Sequence, residues 1–69
     1  MRGALLLLRR NKNLTQDEVA SLAEINVKYY SRIERGKSNP SCQIMQKIAT
    51  ALEVEFDPYG LFTNQETIN

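Results

Sequence analysis

Residues 15–41 read TQDEVASLAEINVKYYSRIERGKSNPS, and the spacing of their apolar side chains decides the fold. Val19, Leu22 and Ala23 recur at helical spacing and define one inner face, with the small Ala20 placed where another helix can approach closely. After a four-residue break, Tyr30 and Ile33 define a second inner face, while Lys28 and Arg32, one turn apart, point outward together. Two short amphipathic helices joined by a tight break, the second ending in a basic run from Arg32 to Lys37, make a helix-turn-helix over about residues 15–35.

The boundaries carry their own signals. Thr15 is placed to cap the second helix, and Glu18, three residues on, completes a capping box. Leu14 before the cap and Val19 after it can form a hydrophobic staple, and Asn26 with Ile25 and Tyr30 repeats the arrangement at the third helix. Gly36 supplies a left-handed stop. Asn39-Pro40-Ser41 then turns into a fourth helix, roughly Ser41 to Leu52, with Cys42, Met45, Ile48, Ala49 and Leu52 as its inner stripe.

Upstream, a first helix from about Arg2 to Asn11 buries Leu5 and Leu8. Steps of ~100° per residue keep four consecutive leucines off a single face, so Leu6 and Leu7 look elsewhere, toward a subunit or intramolecular contact. A last turn at Asp57–Phe62 is expected to close the core with aromatics, followed by a polar tail at 63–69. The reading is five helices, no strand, and one all-α domain over residues 1–69.

Composition agrees with a small globular domain: 69 residues, 42% hydrophobic and 25% charged. One cysteine and no histidine leave no zinc set and no Ser/His or Cys/His pair, so neither an enzyme nor a metal or other cofactor is expected. Cys42 reads as a small core residue. The apolar run Leu5–Leu8 is too short for a signal peptide or a membrane span and ends at Arg9-Arg10, so a soluble cytoplasmic chain with no membrane association is expected. Net charge is only +1, but it is unevenly spread. Residues 1–47 hold nine Lys/Arg against four acids, a balance of +5, and residues 48–69 hold four acids and no base. A basic body with an acidic end can turn one side to phosphates and the other away.

In register across Leu5 to Phe62, several short stretches together resemble the lambda-repressor/Cro (XRE-type) helix-turn-helix family. They are Leu14-Thr15-Gln16, Ala20, Ser31-Arg32-Ile33-Glu34-Arg35-Gly36-Lys37, Asn39-Pro40-Ser41, and Ile48-Ala49 before Ala51-Leu52. The resemblance implies a compact five-helix domain whose third helix lies in the major groove of double-stranded DNA, usually as a homodimer on a two-fold operator. It assigns base readout to Val27, Lys28 and Arg32, with Tyr29 beside them for a base or a phosphate. It gives phosphate contacts to Gln16, at the start of the second helix, and to Arg35, Lys37, Ser38 and Asn39 in the following loop. Arg9 and Glu34 match an ion pair tying the first helix to the third.

The chain also departs from the family. Where glycine usually closes helices it has Asn13, Glu24 and Glu53, and each glutamate would cost about 1 kcal/mol in a left-handed turn or force another geometry. Leu6 and Leu7 replace polar positions, often arginine, so one phosphate contact is lost and an apolar patch appears. The expected function is sequence-specific DNA binding in transcription regulation, in the cytoplasm at the nucleoid. That pattern fits small phage-type repressors, restriction–modification controllers and mobile-element regulators. Two alternatives stand beside it. One is the antitoxin of a toxin–antitoxin pair, with a toxin or other protein partner on the apolar end or the Leu6/Leu7 patch. The other is a protein-interaction module that has lost DNA binding, against which the outward Lys28, Arg32 and Arg35 argue.

Overall fold

A computed structural model describes residues 2–54 of the chain. They form α1 (Gly3–Asn11), α2 (Gln16–Ala23), α3 (Val27–Glu34) and α4 (Cys42–Ala51), with no strand among them. The turn expected at Asp57–Phe62 and the polar tail at 63–69 lie outside the described residues. The break between α2 and α3 is three residues, Glu24–Asn26, one fewer than the sequence suggested.

Side chains start three of these helices. The Thr15 hydroxyl accepts from the Glu18 amide at 3.1 Å, and the Glu18 carboxylate accepts from the Thr15 amide at 2.8 Å, a reciprocal capping box. The Asn26 side-chain oxygen accepts from the Lys28 amide at 2.7 Å, and the Ser41 hydroxyl accepts from the Ile44 amide at 3.3 Å. These bonds satisfy amides that the first turn of a helix otherwise leaves without partners.

The ends share one solution. Each of the four helices closes with a residue at positive φ: Asn13 (58°), Glu24 (61°), Gly36 (79°) and Glu53 (59°). After each comes the paired back-bonding of a Schellman motif. At α2, the Glu24 amide donates to the Ser21 carbonyl at 3.1 Å and the Ile25 amide to the Ala20 carbonyl at 2.9 Å. At α3, Gly36 donates to Ile33 at 3.0 Å and Lys37 to Arg32 at 2.8 Å. The next residue at the three non-glycine ends is Leu14, Ile25 or Val54, each half-buried against the core. Burying that side chain offsets the left-handed penalty. At α3 the next residue is the exposed Lys37, which supplies no such anchor, and glycine stands there.

The two glutamates therefore adopt the left-handed turn rather than a different geometry. Glu24→Gly is expected to stabilise the fold by about 0.5–1 kcal/mol, a gain smaller than the full penalty because glycine also loosens the unfolded chain. Urea unfolding at unchanged m-value is the check, and a loss of stability would show that the Glu24 side chain itself contributes.

The core is Leu5, Val19, Ala20, Ala23, Tyr30, Ile33, Ile48, Ala49 and Leu52, with Leu8, Leu14, Ile44 and Met45 packed against it. The most extensive helix contact is between α2 and α4, and the buried Ala20 and Ala23 keep the inner face of α2 small. Two core assignments from sequence are corrected. Leu22 is 60% exposed, because Val19, Ala23 and Ala20 already fill an arc of roughly 100° and Leu22 falls about 60° outside its edge. Cys42 is also exposed: it is the first residue of α4, and Ile44 and Met45 meet the core instead. On α1, Leu6 is half-buried and Leu7 is 58% exposed.

Candidate nucleic-acid interface

Glu34, the last residue of α3, holds the motif together from inside. Its carboxylate receives the Arg9 Nε at 2.7 Å, the Arg9 guanidinium again at 3.2 Å, the Gln16 amide at 2.7 Å and the Tyr30 hydroxyl at 2.8 Å. Arg9 also donates to the Leu14 carbonyl at 2.8 Å, so one carboxylate joins α1, the α1–α2 connection, α2 and α3. The side chain is only 3% exposed. Burial alone would raise the Glu34 pKa, but the hydrogen bonds from Arg9, Gln16 and Tyr30 and the Arg9 charge outweigh it and hold the carboxyl below its usual range. The same bond raises the pKa of Arg9, and burial followed by the bond to Glu34 pushes the Tyr30 phenol far up.

The network changes the reading of Gln16. Its amide does not simply face outward, because one N–H is directed inward to Glu34. A primary amide carries two N–H donors, so the bond orients the group and leaves its second donor to be used at the surface. Gln16 lines an open groove with Arg10, Asn13 and Val27 where the end of α1 meets the starts of α2 and α3. Arg10 is a cation that was not singled out from sequence. The doublet Arg9-Arg10 held the clue, since adjacent helical residues diverge by ~100° and Arg9 is turned inward.

On α3, Lys28 and Arg32 are exposed one turn apart, opposite the buried Tyr30 and Ile33. Val27 and Tyr29 are half-buried, with part of each side chain packed on the core. In the loop after α3, Arg35, Lys37 and Asn39 are exposed and Ser38 is half-buried. The amides of Lys37 and Ser38 both turn back onto the Arg32 carbonyl, at 2.8 and 3.3 Å, so neither faces outward as a donor.

Arg2 is the other residue that sequence reasoning did not single out. It is 4% exposed, and its guanidinium donates to the Ile33 carbonyl at 2.5 Å, the Ser38 carbonyl at 3.0 Å and the Asn39 side-chain oxygen at 3.0 Å. Its backbone amide donates to the Glu34 carbonyl at 2.9 Å. Burial lowers its pKa, while its position at the negative end of α3 suits a cation. Nothing in the local sequence marks Arg2, whose acceptors lie 31–37 residues away.

A helix-turn-helix family model matches residues 5–59, most of the chain. The chain belongs to the helix-turn-helix family, of the lambda-repressor/Cro (XRE) type. The family is one of DNA-binding transcription regulators. The chain is 43% identical to the uncharacterized HTH-type transcriptional regulator y4dJ of Sinorhizobium fredii over 47 residues, which are 68% of this chain and 61% of that protein. It is 37% identical to the transcriptional regulator ClgR of Mycobacterium tuberculosis over 54 residues, 78% of this chain and 45% of ClgR. The match to y4dJ and ClgR thus covers less than two thirds of either regulator. Among solved structures, the restriction–modification controller protein C.AhdI from Aeromonas hydrophila superposes with a TM-score of 0.74 at 38% identity, covering 75% of this chain and 79% of that one. Among the described residues of this family member, no helix is long and apolar enough to cross a membrane.

Proposed function

We propose that the chain is a sequence-specific transcription regulator that binds a two-fold operator as a homodimer, with α3 of each protomer in the major groove. The observation that carries this is the outer face of α3. It presents Lys28 and Arg32 to solvent on a helix capped at both ends and braced from within through Glu34. Either side chain can donate to guanine O6 and N7, arginine with two hydrogen bonds at once. Val27 offers a methyl-bearing side chain to a thymine methyl, and Tyr29 reaches a base edge or a phosphate. Gln16 on one side of the groove, and Arg35, Lys37, Ser38 and Asn39 on the other, fix the helix against the backbone.

One such face reads only a few base pairs, so useful specificity comes from two protomers on half-sites about one DNA turn apart, ~34 Å. C.AhdI, matched over 79% of its length, is a controller protein, a role that a chain of this size and fold can share.

Selection of bound duplexes from a random pool tests the reading. The expected result is an inverted repeat with half-site centres near that spacing, and recovery of no preferred sequence would overturn it. On the selected site, Lys28→Ala and Arg32→Ala are each expected to cost ~1–3 kcal/mol of binding and to relax preference at one position per half-site. A residue whose loss weakens every sequence equally is a phosphate contact instead.

A further inference from the structure

Arg2 reaches across from the start of α1 to the loop proposed to meet DNA phosphates, and it does so through a side chain rather than through packing alone. The chemistry of its contact with Asn39 is directional. A guanidinium is a pure donor, so the Asn39 amide must turn its oxygen toward Arg2. The NH2 branch then lies on the opposite side of an exposed side chain. The same guanidinium holds the Ser38 and Ile33 carbonyls, so those acceptors are drawn into the protein at the end of α3.

A phosphate oxygen needs donors and is repelled by acceptors. Left to itself, an asparagine amide can present either branch, since rotation by half a turn exchanges the two. We propose that Arg2 is a positioning residue for DNA binding. It fixes the sense of the Asn39 amide and the path of the 35–39 loop, so that Asn39 offers the phosphate backbone its donor rather than its acceptor. The proposal rests on the DNA-binding reading above. It adds a determinant that never touches the nucleic acid.

Because removing a buried arginine can also weaken the fold, the test uses Arg2→Lys, Asn39→Ala and Asn39→Asp, with folding followed by urea unfolding alongside affinity for the selected duplex. Arg2→Lys keeps the charge but cannot span the separate acceptors, and it is expected to bind roughly tenfold more weakly, the scale of one hydrogen bond to a charged group. Asn39→Ala should lose about as much, and Arg2→Lys placed in that background should lose little more. Asn39→Asp separates position from fold. Its carboxylate pairs with Arg2 at least as well, so stability should hold or rise, while DNA affinity falls because no donor remains.

Duplexes carrying a single neutral methylphosphonate locate the contact. The phosphate whose neutralisation weakens the wild type should no longer matter in either Arg2→Lys or Asn39→Ala. Binding of Arg2→Lys that equals wild type would overturn the proposal, as would a loss undiminished in the Asn39→Ala background or Asn39→Asp binding that stays intact. Failure of the wild type to select any duplex would instead take down the DNA-binding reading, and this proposal with it.

Discussion

Glu34→Ala is expected to remove about 3–5 kcal/mol of folding stability, the usual consequence of taking one partner from a buried ion pair. The loss is large here because the carboxylate has several dependents. Without it, the Arg9 guanidinium keeps only its bond to the Leu14 carbonyl among those described, and the Gln16 amide and Tyr30 hydroxyl lose the acceptor that α3 provides. For a domain of this size total stability is roughly 3–10 kcal/mol, so the variant should sit near the edge of unfolding, with Tm lowered by about 15–30 °C. Thermal and urea unfolding followed by circular dichroism measure it, and a loss under ~1 kcal/mol would show that the network does not brace the motif. Replacing both Arg9 and Glu34 with leucine should recover part of the loss but not all, since Gln16 and Tyr30 would still lack their acceptor.

The same group sets an acid limit. The folded state holds the Glu34 carboxyl below the 4.5 of an ordinary glutamate, so unfolding takes up a proton once pH drops beneath that value. The stabilisation is fully present above the unfolded pKa and is lost as pH falls through the folded one. Stability of the wild type should therefore decline below pH 4.5, and the decline should be shallower in Glu34→Gln, which cannot titrate there.

Operator affinity is expected to fall about a hundredfold between 50 and 200 mM salt. Arg35 and Lys37 place two cations on the loop side of α3, and the proposed homodimer, engaging all four, would give a slope of roughly −3.6 in log affinity against log salt. That corresponds to a factor of ~150 over this range, or about 3 kcal/mol. Replacing Lys37 with alanine should flatten the slope by about two for the dimer, one per protomer. Fluorescence anisotropy across a salt series reads both values. A flat response would mean that phosphates contribute little and that recognition rests on base contacts alone.

Much of the architecture was legible along the chain because the signals for it are local. A capping box needs residues three apart, and an amphipathic face needs residues one turn apart, so Thr15 with Glu18 and Lys28 with Arg32 could be read within a few positions of each other. The resemblance to the family added the Arg9–Glu34 pair, which spans 25 residues and has no local signature. Where local reading went astray, helical geometry was underdetermined. Leu22 and Ala20 both border the apolar arc of α2, and the packed core takes the smaller residue inside. Cys42 fits the periodicity of α4 but stands where the helix has only begun.

The sequence by itself determined the four helices described here, the caps at Thr15 and Asn26, the existence of a break between α2 and α3, and the pairing of cations on the outer face of α3, because each depends on neighbours within a turn or two. Only the tertiary structure decided that Glu24 takes a left-handed turn, since the compensation comes from Ile25 packing on a core that assembles from all four helices. It alone decided that Gln16 bonds Glu34 and that Arg2 clasps the loop through Ser38 and Asn39. Those bonds join residues 18 to 37 positions apart, and a buried donor selects its acceptor by where the folded backbone brings it, which no local spacing encodes.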